Sequence, residues 1–405
     1  MKLISTIFFN LILINAAINT ENGYCVSKDS CAETKNTSSD KKWLFYDVNP
    51  PEGFNLRRDV YMRFAILLSN EQKRGKLKEF GLVLPPWYKL YHWKTTKKRE
   101  PIPWGNFFDI ESLKSFAPVV ELYEIFEKSL QKQLIIDTIY VLQNYDNPFE
   151  NGLFEDKWEV QEECPYVPQY WGYGNITANE IICVKFQGKI SMLPELFQLH
   201  RNDKFIMVAH GEIPLHDNYG DRKYWKCRKS MKFNKKLTEI AFNYIKEKLN
   251  CDTELCKNYL GVHWRRQDFA KYRSKDVPTT SGTVKQIQNI MQNKLPHVQT
   301  VFIATDASAK EREILQNNLE TLGYNVHYYV PNIAEVTEFD DGTIAILEQI
   351  ICSHAAFFVG THESTFTFRI QEERELLGFP SDTTFNRLCP DKGNCEKPSR
   401  WTVVN

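Results

Sequence analysis

Apolar residues return along this chain in two rhythms. Short unbroken runs of Val, Ile, Leu and Phe alternate with longer stretches in which apolar side chains recur every three or four positions. The second half is the more regular. Strand-like runs at 259–264, 300–304, 326–330 and 356–360 alternate with helical patterns at 283–295, 309–322, 343–353 and 364–377. Unbroken apolar strands separated by helices predict a parallel sheet covered on both faces. In the first half, strands are expected at 43–48, 82–84, 135–142 and 205–209, with helices at 55–70, 121–130 and 230–249. The 55–70 helix carries Leu56, Val60, Phe64 and Leu67 on one face, with Asn55 as its expected cap. The 145–173 segment is irregular and rich in Trp and Tyr, a composition that serves self-packing as readily as recognition. The order predicts an α/β fold with a Rossmann-like layer in each half and a change of domain near 229.

The N-terminus adds a compartment to this picture. Lys2, an apolar run to Ile14 and the small residues Ala16 and Ala17 read as a secretory signal peptide over 1–20, followed by a polar leader at 21–41. No second apolar stretch long enough to span a membrane is expected. Ten cysteines suit an oxidising lumen, and sequence proximity favours Cys25–Cys31, Cys164–Cys183, Cys251–Cys256 and Cys389–Cys395. Proximity alone does not fix connectivity. Cys227 and Cys352 are left over, the latter in an apolar helical run that favours a buried thiol. Asn36 and Asn175 open glycosylation sequons, and no retrieval signal ends the chain. A formal net charge of zero argues against a general nucleic-acid binder.

Candidate chemistry gathers at the ends of strands. After the first strand, Pro50 and Pro51 forbid helix, Gly53 permits a tight turn, and Glu52 is held at a rim beside the start of a long helix. Such a helix start offers free N–H groups to an anion, next to a carboxylate that can accept a proton. Taken alone, the same turn also describes an ordinary surface loop. In the second half, three strands end in His263–Phe269, Ala304–Asp306 and Gly360–Phe366, and parallel strands bring such ends to one edge. Together they supply Arg265 and Arg266, Asp306, and the hydroxyls of Ser364 and Thr365 at a helix start, a set suited to a nucleoside diphosphate. Arg265 is favoured over Arg266 for the pocket because strand alternation places it on the side of His263.

These residues carry a resemblance. The block from Pro50 to Asp59, the Leu84–Trp87 segment, the run from His263 to Phe269, Ala304–Asp306 and Ser364–Phe366 are similar, in the same order, to the motifs of the protein O-fucosyltransferase 2 family, which modifies thrombospondin type 1 repeats. The resemblance implies a GT-B arrangement of two Rossmann-like domains facing across a cleft, here 42–228 and 229–405, with the nucleotide sugar on the C-terminal side. It further implies inverting transfer of fucose from GDP-fucose to a Ser or Thr hydroxyl in the endoplasmic reticulum lumen by a monomer. Glu52 matches the catalytic base; without an Asp-x-Asp motif to hold a metal, Arg265 is expected to take up the leaving-group charge. Pro51, Glu52, Gly53, Phe54, Asn55, His263, Trp264, Arg265, Glu348, Thr365 and Phe366 match donor-contacting positions. Trp264, Gln267 and Thr367 depart from the usual residues, and Glu348 stands where an Asp is expected. The chain contains no Asp-x-Asp motif, so no metal cofactor is expected. Two alternatives share the scaffold: a non-catalytic lumenal binder of disulfide-rich repeats, and a sister enzyme for EGF-like repeats.

Overall fold

The computed structural model describes residues 41–405 except 91, 92, 94–99, 128–132, 150, 151 and 252–256. The signal peptide, nearly all of the leader, the Cys25–Cys31 pair, Asn36 and Cys256 lie outside the described residues. Residues 41–405 form one compact unit. Its first half runs β1 (Lys42–Tyr46), α1 (Phe54–Lys73), β2 (Phe80–Leu84), α2 (Ile110–Lys114), β3 (Val119–Glu121), α3 (Leu122–Glu127), β4 (Leu134–Gln143), β5 (Lys157–Val160), β6 (Ile176–Gln187), α4 (Leu193–Phe197) and β7 (Phe205–Ala209). Two helices follow, α5 (Arg222–Ser230) and α6 (Lys235–Leu249). The second half runs β8 (Tyr259–Trp264), α7 (Gln267–Tyr272), α8 (Thr280–Lys294), β9 (Thr300–Thr305), α9 (Ala309–Thr321), β10 (Asn325–His327), α10 (Ile333–Glu338), α11 (Asp341–Ser353), β11 (Phe357–Thr361), α12 (Thr365–Leu376), α13 (Ser381–Thr384) and β12 (Arg387–Leu388).

The strands form two sheets, ordered β3-β2-β1-β7-β4-β6-β5 and β10-β9-β8-β11-β12. Every pairing is parallel except the edge pair β5 with β6, as continuous apolar strands between helices require. One hydrophobic cluster passes from Leu44 on β1 through Phe64 on α1, Trp225 on α5 and Leu237 on α6 to Ile346 on α11 and Phe302 on β9. The two sheets therefore share a core. Where α11 starts, Gly342 has no room for a side chain: a Cβ there would lie 2.6 Å from Trp93 and 2.7 Å from Phe107.

Several expectations need correction. Helix α1 begins one residue earlier than predicted, with Gly53 as its N-cap and no capping side chain. Asn55 is not the cap, because its side chain is engaged by residues across the joint between the sheets, as described below. Glu121 ends β3 instead of opening a helix, and α6 starts at Lys235, not 230. The segment 145–173 does contain an edge strand, β5, and β6 and α5 were not anticipated. In α5 the sequence is basic, yet Tyr224, Trp225, Cys227 and Arg228 are buried. Cys164–Cys183 and Cys389–Cys395 are disulfides, while Cys227 and Cys352 are free and buried. Among the described residues no helix is long and apolar enough to cross a membrane.

Candidate active site

A cleft of about 520 Å³ opens between the C-terminal edge of the second sheet and the turn that leads into α1. Pro51, Glu52, Gly53, Phe54 and Asn55 line it from one side, and His263, Arg265, Thr305, Asp306, Glu348, Thr365 and Phe366 from the other. Of the donor-contacting residues expected from the sequence, Trp264 alone does not line the cleft. Strand alternation turns it away from His263 and Arg265, into the core between β8 and α8 with Ile287 and Val301.

The turn is fixed from behind. Glu52 donates its N–H to Asn49 O at 3.0 Å, closing the turn after the two prolines. Arg57, one helical turn into α1, donates to the carbonyls of Glu52 (3.1 Å), Val48 (3.2 Å) and Asn49 (3.3 Å). Glu212 accepts from Asn49 N at 3.1 Å. Below the turn, Phe54 packs in a cage of Trp87, Trp93, Phe107 and Phe108. Glu52 is thus presented to the cleft on a braced loop. Partial burial, and then the Glu212 charge, raise its pKa above the usual carboxylate value, against a smaller pull from Arg57.

On the opposite wall, the Arg265 guanidinium meets Asp268 and Asp306, each at 2.8 Å, and lies over the ring of Phe269. Its backbone N–H donates to Thr361 Oγ1 at 2.9 Å. Arg266 turns the other way, to Glu311 and the Pro278 carbonyl. Arg265 therefore shares the cleft side with His263, and Arg266 does not. His263 is buried, stacked on Phe366 with centroids 4.4 Å apart and hydrogen-bonded to Thr367 Oγ1 at 2.8 Å. Burial, helped by the neighbouring Arg265 charge, pulls its pKa down to about 3, so the ring is neutral. Burial likewise raises Asp306, and pushes Glu348 up to about 8 against the opposing charge of Arg312. The first turn of α12 faces the cleft through Thr365 and Phe366, with Ser364 as an N-cap whose side chain makes no capping bond. Its free N–H groups are a second resource for an anion.

Sequence reasoning missed Arg273 and Glu363, which line the cleft as an ion pair at 2.8 Å, and Trp93, Asp341 and Ala345. Asp341, Ala345 and Glu348 lie on one stripe of α11, a spacing that the sequence displays without saying which face meets a cavity. Arg273 and Glu363 come together only through tertiary structure.

The sequence profile of the GDP-fucose protein O-fucosyltransferases matches residues 43–377. The chain belongs to this family. It is 38% identical over 402 residues to GDP-fucose protein O-fucosyltransferase 2 of Caenorhabditis elegans, covering 91% of each chain. It is 37% identical to the Homo sapiens protein of the same name over 403 residues, again 91% of each. Among solved structures, POFUT1 in complex with GDP-fucose superposes with a TM-score of 0.57 over 87% of this chain and 98% of that one, at 14% identity. That likeness establishes the two-sheet glycosyltransferase fold, and the sequence relatives establish a fucosyltransferase enzyme acting on protein.

Proposed function

We propose that the chain transfers fucose from GDP-fucose, with inversion and without a metal ion, to a Ser or Thr hydroxyl of folded thrombospondin type 1 repeats in the lumen of the endoplasmic reticulum. The observation that carries the reading is that Glu52 and Arg265 line one cleft from opposite walls. In this mechanism the acceptor oxygen forms a bond to the anomeric carbon as the bond from that carbon to the β-phosphate oxygen breaks. The acceptor proton passes to Glu52, and the electron pair leaves with GDP. Burial and the Glu212 charge, by raising the Glu52 pKa, strengthen it as a base.

Charge on the departing diphosphate falls to Arg265, with the first turn of α12 beside it. A unit charge about 4 Å from a phosphate oxygen is worth roughly 4 kcal/mol at an effective dielectric near 20, whereas a helix terminus gives about 0.3–1 kcal/mol. Arginine is therefore the larger contributor. It must exchange Asp268 or Asp306 for phosphate when the donor enters, and those carboxylates hold it extended until then. The metal-free proposal is supported by this arginine and by a sequence without an Asp-x-Asp motif. Transfer to protein is supported by the relatives, which are protein O-fucosyltransferases, and the choice of thrombospondin repeats by the motif resemblance.

The test is incubation with labelled GDP-fucose and a panel of folded thrombospondin and EGF-like repeats, with and without EDTA. Label on thrombospondin repeats that persists in EDTA is expected. Label confined to EGF-like repeats would replace the acceptor, and activity lost to EDTA and restored by manganese would replace the metal-free step.

A further inference from the structure

Asn55 lines the cleft, but the structure shows that half of its amide is already spoken for. Its Oδ1 accepts from Gln349 Nε2 at 2.8 Å and from Arg58 Nη1 at 3.3 Å. Arg58 Nη1 also donates to Gln349 Oε1 at 2.8 Å, closing a three-membered ring of side chains between α1 and α11. With the oxygen held inward by two donors, the Asn55 NH2 group is the end left to face the cleft. No hydrogen bond from it is found among the described residues.

Arg58 is a costly part of this arrangement. Its side chain is fully buried and forms no ion pair among the described residues, and Nε and Nη2 find no hydrogen-bond partner. It is enclosed by the rings of Phe54 (5.6 Å), Phe108 (5.4 Å) and Phe233 (5.1 Å). A buried guanidinium without a carboxylate is expensive, and an apolar residue of similar volume is often no less stable in such a place. A fold that only needed to fill this volume would not require the charge. What the charge does here is dictate which way an amide at the cleft points.

We infer that Arg58 and Gln349 are positioning residues that lock the Asn55 side chain with its NH2 group toward the cleft, making it a fixed hydrogen-bond donor to a diphosphate oxygen of the nucleotide. The inference rests on the reading of the cleft as the GDP-fucose site. Because Asn55 and Arg58 come from one half of the molecule and Gln349 from the other, the donor is set correctly only when the two halves are docked. Neither Arg58 nor Gln349 touches the ligand in this scheme.

Gln349→Glu separates this role from a packing role. The substitution is isosteric and gives Arg58 the carboxylate it lacks, so the thermal midpoint should hold or rise. A carboxylate cannot donate to Asn55 Oδ1, however, and attracts the Asn55 NH2 group inward, turning a carbonyl toward the phosphate. Binding of GDP, measured by isothermal calorimetry, should weaken by about 10- to 100-fold, the loss of one hydrogen bond to a charged group. Binding by the unaltered protein tests the donor reading by itself, and its absence would reject that reading before any variant is compared. The added charge is controlled by a cycle: Asn55→Ala should weaken GDP binding in the parent protein but cost less than about twofold more in the Q349E background. If Q349E does not fold, Arg58→Lys takes its place in the same cycle, with the same expectation. Unchanged GDP affinity in a folded Q349E protein, or additive losses in either cycle, would overturn the inference.

Discussion

At the scale of single residues, the site divides into groups whose protonation is useful and groups whose protonation is suppressed. Glu52 must be ionised to accept a proton, so activity should fall as pH drops through its raised pKa. The acid limb of kcat/KM is expected above the ordinary value of 4.5. His263, neutral down to about pH 3, should add no limb near 6.5. Glu52→Gln should leave GDP binding intact while transfer collapses, and near-normal transfer would remove Glu52 from the role of base. Arg265→Ala should reduce turnover on the order of a thousandfold, matching the roughly 4 kcal/mol assigned to its charge. Glu348 gives a stability test with the opposite sign. Its folded pKa is about 8 against an ordinary 4.5, so the native state holds a proton that the unfolded chain gives up between those values. Its contribution is present below 4.5 and lost as pH rises through 8. Glu348→Gln should therefore gain in melting temperature relative to the parent as buffer pH is raised from about 5 to about 8.5. A constant difference across that range would place the carboxylate in an ordinary solvated setting.

At the scale of elements, the close contact of α11 with the aromatic cage makes a prediction that runs against helix propensity. Ala is preferred over Gly within helices by about 1 kcal/mol. At Gly342 the added methyl would lie 2.6 Å from Trp93 and 2.7 Å from Phe107, inside any normal carbon contact. Overpacking against rings that cannot shrink costs about 1–3 kcal/mol, so Gly342→Ala should lower stability in urea unfolding. It should also disturb the cleft wall to which Trp93 belongs. The same elements show what sequence patterning can and cannot convey. The runs at 205–209 and 259–264 are uninterrupted and apolar, and β7 and β8 occupy those residues. Strand β6 escaped notice because its first half alternates irregularly, with Asn179 and Glu180 facing solvent before the buried Val184 and Phe186. Helix α5 escaped because it reads as a basic surface segment: Arg222, Lys223, Lys226 and Lys229 face solvent, and the buried Arg228 is paired by Glu372 and Glu373, partners that local pattern cannot reveal. Asn55 looked like a cap because capping is the local use of Asn, and it became part of a joint because Gln349, distant in sequence, approaches it. The cleft residues named from motifs sit together, whereas the bracing by Arg57, the Arg58 ring and the Arg273–Glu363 pair depend on folding alone.

At the scale of the whole molecule, what holds the cleft is the docking of its two halves, and a second buried network lies across that joint. Asp59 on α1 accepts from Arg63 (2.8 Å) and Arg369 of α12 (3.4 Å) and contacts His216 (3.2 Å). Glu372 on α12 accepts from Arg369 (2.9 Å), from Arg228 of α5 (2.8 Å) and from the Tyr224 hydroxyl. Arg228 also reaches Glu373 at 2.8 Å. Three guanidiniums thus face three carboxylates, with Asp59, Glu372, Arg228 and Arg369 buried. A balanced set of this kind gains little over apolar packing when intact, but removing one member leaves an uncompensated buried charge that costs about 3–5 kcal/mol. Asp59→Asn keeps the shape and leaves one cation in excess, so urea unfolding should show a loss in that range. Its hydrogen-bonding and charged neighbours hold the Asp59 carboxyl below the usual range, which keeps its contribution in force at every pH above the ordinary 3.8 and removes it only in stronger acid. Screening offers the control. Salt at about 1 M shortens the Debye length to roughly 3 Å and weakens exposed pairs, but a buried network feels it little. The D59N deficit should therefore be the same in low and high salt. A deficit that disappears in high salt would mean that these charges are solvated and that the shared hydrophobic core, from Leu44 through Trp225 to Phe302, is sufficient to keep Glu52 opposite Arg265.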